Sequence, residues 1–110
     1  MEFMDINKIS DKTLKGFGNL DLSDKKDLKK LSKKDMKLLV VMAFNLGFSL
    51  KGRQSFETEE LEELLLKAIM IMSLEIFVRK GILRREGKWY DPKATYVETE
   101  FGKLAREEFK

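Results

Sequence analysis

The chain has no cysteine and no histidine among its 110 residues. Without cysteine there are no disulfides, no thiolate metal sites and no cysteine nucleophile. Without histidine the commonest general base and the imidazole metal ligand are missing as well. No catalytic residue, metal site or cofactor is expected, and the chain is not expected to be an enzyme. A long apolar run is also absent. The longest stretch, Leu38 to Leu46, is interrupted by Asn45 and is far shorter than the roughly 20 residues of a membrane-spanning helix. The start, Met1-Glu2-Phe3-Met4-Asp5, carries no basic segment ahead of an apolar one and so is not a secretory signal. A cytoplasmic protein with no membrane partner is expected. Abundant Lys and Glu, a single Gln and no Cys are in keeping with a thermophile source.

What is present is charge. Charged residues make up 37% of the chain, yet the formal net charge is only +3. Any nucleic-acid footprint must therefore be local. Residues 1–31 read as a charged N-terminal arm, partly ordered, and 32–110 as one folded domain. In the arm, Gly16-Phe17-Gly18-Asn19 is a breaker cluster. Ser23 is placed to cap a short helix burying Leu28 and Leu31. The arm's lysines could track a phosphate backbone, but its interleaved aspartates repel the same phosphates.

Ser32 with Asp35 resembles a capping box. Met36, Leu39, Val40, Ala43 and Gly47 then recur at helical spacing, which predicts a helix over 33–46 with Gly47 as its cap. Residues 48–57 read as a linker, with room for a short strand. Thr58 is a good N-cap, and Glu59 and Glu60 suit the first turn of a helix. From there to Lys80 no Gly, Pro or Asn intervenes. Either a tight turn falls at 67–70 or one helix spans 58–80. The hairpin that follows fits a head of three helices and favours the turn. Gly81 ends this helix, and Ile82 through Arg85 enter a hairpin. Gly87 and Asp91-Pro92-Lys93 are turn signals, and Tyr96 and Val97 form the return strand. Thr99 caps a last helix, with Phe101, Leu104 and Phe109 expected to face inward.

The segment from Arg79 to Ala105 resembles the wing and following helix of MarR-type transcriptional regulators. Lys80-Gly81-Ile82-Leu83, Arg84-Arg85, Asp91 with Lys93, Thr95-Tyr96-Val97, and Thr99 through Gly102 occupy that family's positions. The resemblance implies a winged helix-turn-helix domain, mainly α with a small β-hairpin wing. It also implies a DNA-binding regulator of transcription acting as a homodimer. The closing helix is short beside the long terminal helices through which that family dimerises, and residues 1–31 are unlike its first helix. The implied fold therefore carries over better than the implied dimer.

Arg79, Lys80, Arg84, Arg85, Lys88 and Lys93 lie within fifteen residues, against only Glu86 and Asp91. This is the expected nucleic-acid-binding set, suited to the phosphates of double-stranded DNA. Trp89 and Tyr90 lie beside it, one of them expected to pack into the core. The helix ahead of the hairpin is apolar. Counting back from Gly81 puts Phe77, Leu74 and Met70 on the core side, and leaves Ile69, Ile71, Met72, Ser73, Glu75 and Ile76 outward. That is a poor surface for reading bases. Three accounts stay open: a buried long helix; a dimer or partner interface formed by Ile69, Ile71, Met72 and Ile76; or a different helical register. The rival to DNA binding is thus a winged helix serving as a protein-interaction module in a transcription or replication assembly.

Overall fold

The computed structural model describes residues 2–20 and 29–109. Ser23 and Leu28 of the expected short helix lie outside them. Leu31 packs, partly buried, against the core. Among the described residues the fold is mainly helical with one two-stranded antiparallel hairpin. The order is α1 (Asp11–Gly18), α2 (Lys33–Lys51), α3 (Thr58–Arg79), β1 (Leu83–Glu86), β2 (Thr95–Glu98) and α4 (Glu100–Glu107), with a short 3-10 turn at Ile6–Lys8.

Within the expected arm, residues 2–20 pack against the helices that follow. Ser10 caps α1 by accepting from the Thr13 N–H at 3.2 Å. Leu14 and Phe17, three residues apart on one face, are fully buried. Arg79 ties this region to the end of α3, reaching Asp11 Oδ1 at 2.6 Å and donating to the Ile6 carbonyl at 3.0 Å. Met4 is clamped at both backbone groups. Its N–H donates to Asn45 Oδ1 at 2.9 Å, and its carbonyl accepts from Trp89 Nε1 at 2.8 Å. Phe3 stacks on Tyr90 with centroids 3.8 Å apart. Met4, Ile6, Ile9, Leu14, Phe17 and Leu20 therefore join the same core as the later helices.

Ser32 caps α2 as its spacing predicts, accepting from the Asp35 N–H at 3.1 Å. The helix does not stop at Gly47. It runs to Lys51, and the left-handed cap is Gly52, at φ 68°. Gly47 answers a packing need instead, since a Cβ there would overlap the Phe56 ring. The linker read over 48–57 holds no strand; that stretch is the last turn of α2 and a short connection to α3.

The connection is held by charge. Glu57 and Glu60 form a reciprocal capping box, with Glu57 rather than Thr58 as the N-cap. The Glu60 carboxylate also pairs with Lys51 and, at 2.6 Å, with Arg53. Lys51, the Glu57 N–H and Arg53 together hold its pKa down from 4.5 to about 2. This support is present above the unfolded value and is lost as pH falls through about 2. The Glu60 side-chain carboxyl resonance should titrate near that value, and Lys51→Ala should move it up towards 4.5. An ordinary carboxyl titration in the unmodified chain would contradict the pairing.

The turn expected at 67–70 does not occur. Residues 58–79 form one helix, about 33 Å long. No Gly, Pro or Asn there breaks it. With α1 and α2 both packed on α3, its inward face is Leu64, Ala68, Ile69, Met72 and Glu75.

Candidate nucleic-acid interface

The hairpin begins where α3 must end. Gly81 takes φ 76°, and the Ile82 N–H returns to the Phe77 carbonyl at 3.0 Å. β1 and β2 pair Leu83 with Glu98, Arg84 with Val97, Arg85 with Tyr96 and Glu86 with Thr95. Residues 87–94 close it, with Gly87 at φ 105°. The Lys93 N–H donates to Asp91 Oδ1 at 2.8 Å. The far end is fixed by Thr99, which caps α4 by accepting from the Gly102 N–H at 3.0 Å and donates to the carbonyls of Gly81 and Ile82. A Cβ at Gly102 would overlap the Ile82 carbonyl oxygen. Gly102→Ala should therefore lower stability by about 1–3 kcal/mol despite alanine's better helix propensity. A denaturant midpoint at or above that of the parent would refute this close approach.

Alternation along the hairpin divides its cations. Arg85 turns towards α3 and pairs with Glu75, whose side chain is only 4% exposed. Tyr96, the cross-strand partner of Arg85, donates its O–H to the same carboxylate at 3.1 Å. Burial, and then the charge of Glu75, push the Tyr96 phenol upward. Glu75 was expected to face outward, where it would repel phosphate. It instead anchors both strands to α3. Arg84 lies on the outer face, its side chain 63% exposed and joined to Glu86 at 2.9 Å. Such a surface pair is worth roughly 0–1 kcal/mol, so phosphate can readily replace Glu86.

Of the six expected nucleic-acid contacts, Arg79 and Arg85 are thus engaged within the fold. Lys80, Arg84, Lys88 and Lys93 are exposed. Among the described residues, Lys80, Lys88 and Lys93 form no ion pair. Trp89 is in the core and Tyr90 is partly buried against it.

The expected apolar interface needs correction in register. Ile69 and Met72 are core residues, and Ile71 and Ile76 pack partly buried against the core. The exposed large residues of α3 are Leu66, Met70 (54%) and Phe77 (45%), two of which were placed inside by counting from Gly81. Nearer its start, α3 exposes Glu59, Glu62 and Glu63. On α4, Phe101, Leu104 and, just beyond the helix, Phe109 face outward, not inward. No described helix is long and apolar enough to cross a membrane. Sequence spacing gave no hint that Lys15 and Asn19 of the N-terminal region would lie beside Lys80. The Ser10 cap followed by Leu14 and Phe17 was the available signal for the helix that carries them.

Comparison of the chain with models of known families, with curated proteins and with solved structures finds no match.

Proposed function

We propose that this is a DNA-binding winged-helix protein, a transcriptional regulator that meets the phosphate backbone mainly through its hairpin. The observation that carries this is the exposure of Lys80, Arg84, Lys88 and Lys93 on the hairpin and its approach. The order of helices, hairpin and closing helix supports it. The duplex is assigned to the hairpin and not to the first half of α3, because Glu59, Glu62 and Glu63 repel phosphate there. Arg84, Lys88 and Lys93 replaced together by Ala should weaken duplex binding without shifting the melting temperature appreciably. Arg85→Ala should act through stability instead, because it leaves Glu75 buried without its cation. Unchanged affinity in the triple variant would remove the hairpin from the contact.

A second reading is favoured by the exposed apolar residues Leu66 and Met70 on α3 and Leu50 on α2. Leu50 and Met70 line one hollow, and exposed apolar surface of this kind suits association with a second copy of the chain or another protein. Leu66→Lys combined with Met70→Lys should abolish self-association in sedimentation while leaving duplex affinity intact. Association that survives both changes counts against it.

A further inference from the structure

We propose that the cleft between α1 and the end of α3 binds a nucleotide, its phosphate between Lys15 and Lys80 and its flat base or sugar against Phe77. The cleft has a volume of about 330 Å³ and is lined by Lys15, Asn19, Ser73, Ile76, Phe77 and Lys80, with Gly18 at its edge. α1 comes close to α3 at one wall of the cleft. A Cβ on Gly18 would lie 2.9 Å from Ile76 Cδ1.

Three features point to one ligand class. Lys15 and Lys80 come from different helices and line the same cleft, and neither forms an ion pair among the described residues. No described carboxylate lines the cleft. Asp11, which lines an adjoining hollow with Lys15 and Lys80, is already held by Arg79. Each lysine also sits at the C-terminal end of a helix, where the macrodipole favours a cation. That accounts for each lysine singly, but not for their convergence beside an exposed aromatic ring. Phe77 is 45% exposed on the cleft wall, and an aromatic face accepts any base. Ser73 donates to the Ile69 carbonyl at 3.1 Å, which leaves its oxygen free to accept from a sugar hydroxyl or base amine. The Asn19 amide can both donate and accept.

The nucleotide can come from a bound strand or from free solution. In the first case the cleft extends the hairpin's contact and rests on that reading, with Lys80 common to both. The test uses the full chain. Backbone amide resonances of Asn19 and Lys80 are followed while dAMP or inorganic phosphate is added. In parallel, affinities for a short single strand and a short duplex are measured for the parent, Lys15→Glu, Phe77→Ala and the triple hairpin variant. Thermal melts check that each is folded.

The expected result is that dAMP shifts both amides and Lys15→Glu removes the response. Phe77→Ala should weaken dAMP about tenfold while sparing the response to phosphate. On a strand, Lys15→Glu should reduce the salt slope by about 1. A strand effect of Lys15→Glu without a dAMP response supports a strand-borne nucleotide. A dAMP response without strand binding supports a free nucleotide and sinks the hairpin reading alone. If dAMP shifts nothing and Lys15→Glu binds strands like the parent, the cleft proposal is overturned. In that case, loss of binding in the triple hairpin variant leaves the hairpin reading standing.

Discussion

Glu75→Ala should lower the unfolding free energy by about 3–5 kcal/mol, the usual cost of removing one member of a buried ion pair. The side chain is 4% exposed and that of its partner Arg85 is 18% exposed, so water replaces the lost carboxylate at Arg85 only in part. The change leaves Arg85 with the Gly87 carbonyl at 3.0 Å and deprives Tyr96 of its acceptor. Because Arg85 and Tyr96 face each other across the hairpin, both strands lose their tie to α3 at once. Glu75→Gln keeps the shape and one acceptor, and should cost less. Replacing Glu75 and Arg85 together by apolar residues should cost least, because no charge is then stranded. The order Ala, Gln, double variant in urea midpoints checks the assignment. Faster hydrogen exchange confined first to β1 and β2 should accompany it. A Glu75→Ala midpoint equal to that of the parent would mean the pair does not hold the hairpin.

The same cluster carries an alkaline signature. The raised Tyr96 phenol keeps the anchorage at full strength below its ordinary value of 10.0, and stability declines as pH rises beyond that value.

Trp89→Ala should cost about 3–5 kcal/mol, the range for removing a large buried aromatic. Trp89 is 6% exposed, and its indole N–H holds the Met4 carbonyl. The loss therefore combines a cavity with release of the N-terminal segment. Asn45 holds the N–H of that same Met4. Asn45→Ala and Trp89→Ala should therefore fall short of additivity, because either one loosens the clamp. Thermal melts of the single and double variants measure this, with protease cleavage before α1 as a second readout. A Trp89→Ala protein with the parent's melting temperature and protease resistance would refute the clamp.

The features legible in the sequence were those set by local chemistry. Ser32 and Thr99 cap helices because a hydroxyl at that spacing meets an orphan N–H. Gly81 and Gly87 mark the hairpin because positive φ is needed there. Gly102 was singled out only by the family resemblance, and its local reason is the close Ile82 carbonyl. What was not legible depends on distant partners. α1 is only eight residues long, and its charged surroundings obscured Leu14 and Phe17. Gly47 looked like a helix end because the ring of Phe56, nine residues on, cannot be seen in local spacing. α3 carries apolar residues on nearly every side, so periodicity could not choose its inner face. Glu75 reads as solvent-facing until Arg85 and Tyr96 are folded back upon it. α4 has an apolar face, as its pattern said, but a pattern does not show whether that face is covered.

The direct measurement of the central claim is the affinity of the chain for a short random duplex across a series of salt concentrations. Four exposed cations on and beside the hairpin predict that log affinity falls with log salt at a slope of about −3 to −4. Removing Arg84, Lys88 and Lys93 should flatten that slope by about 2–3. No binding at low ionic strength, or an affinity indifferent to salt, would contradict it.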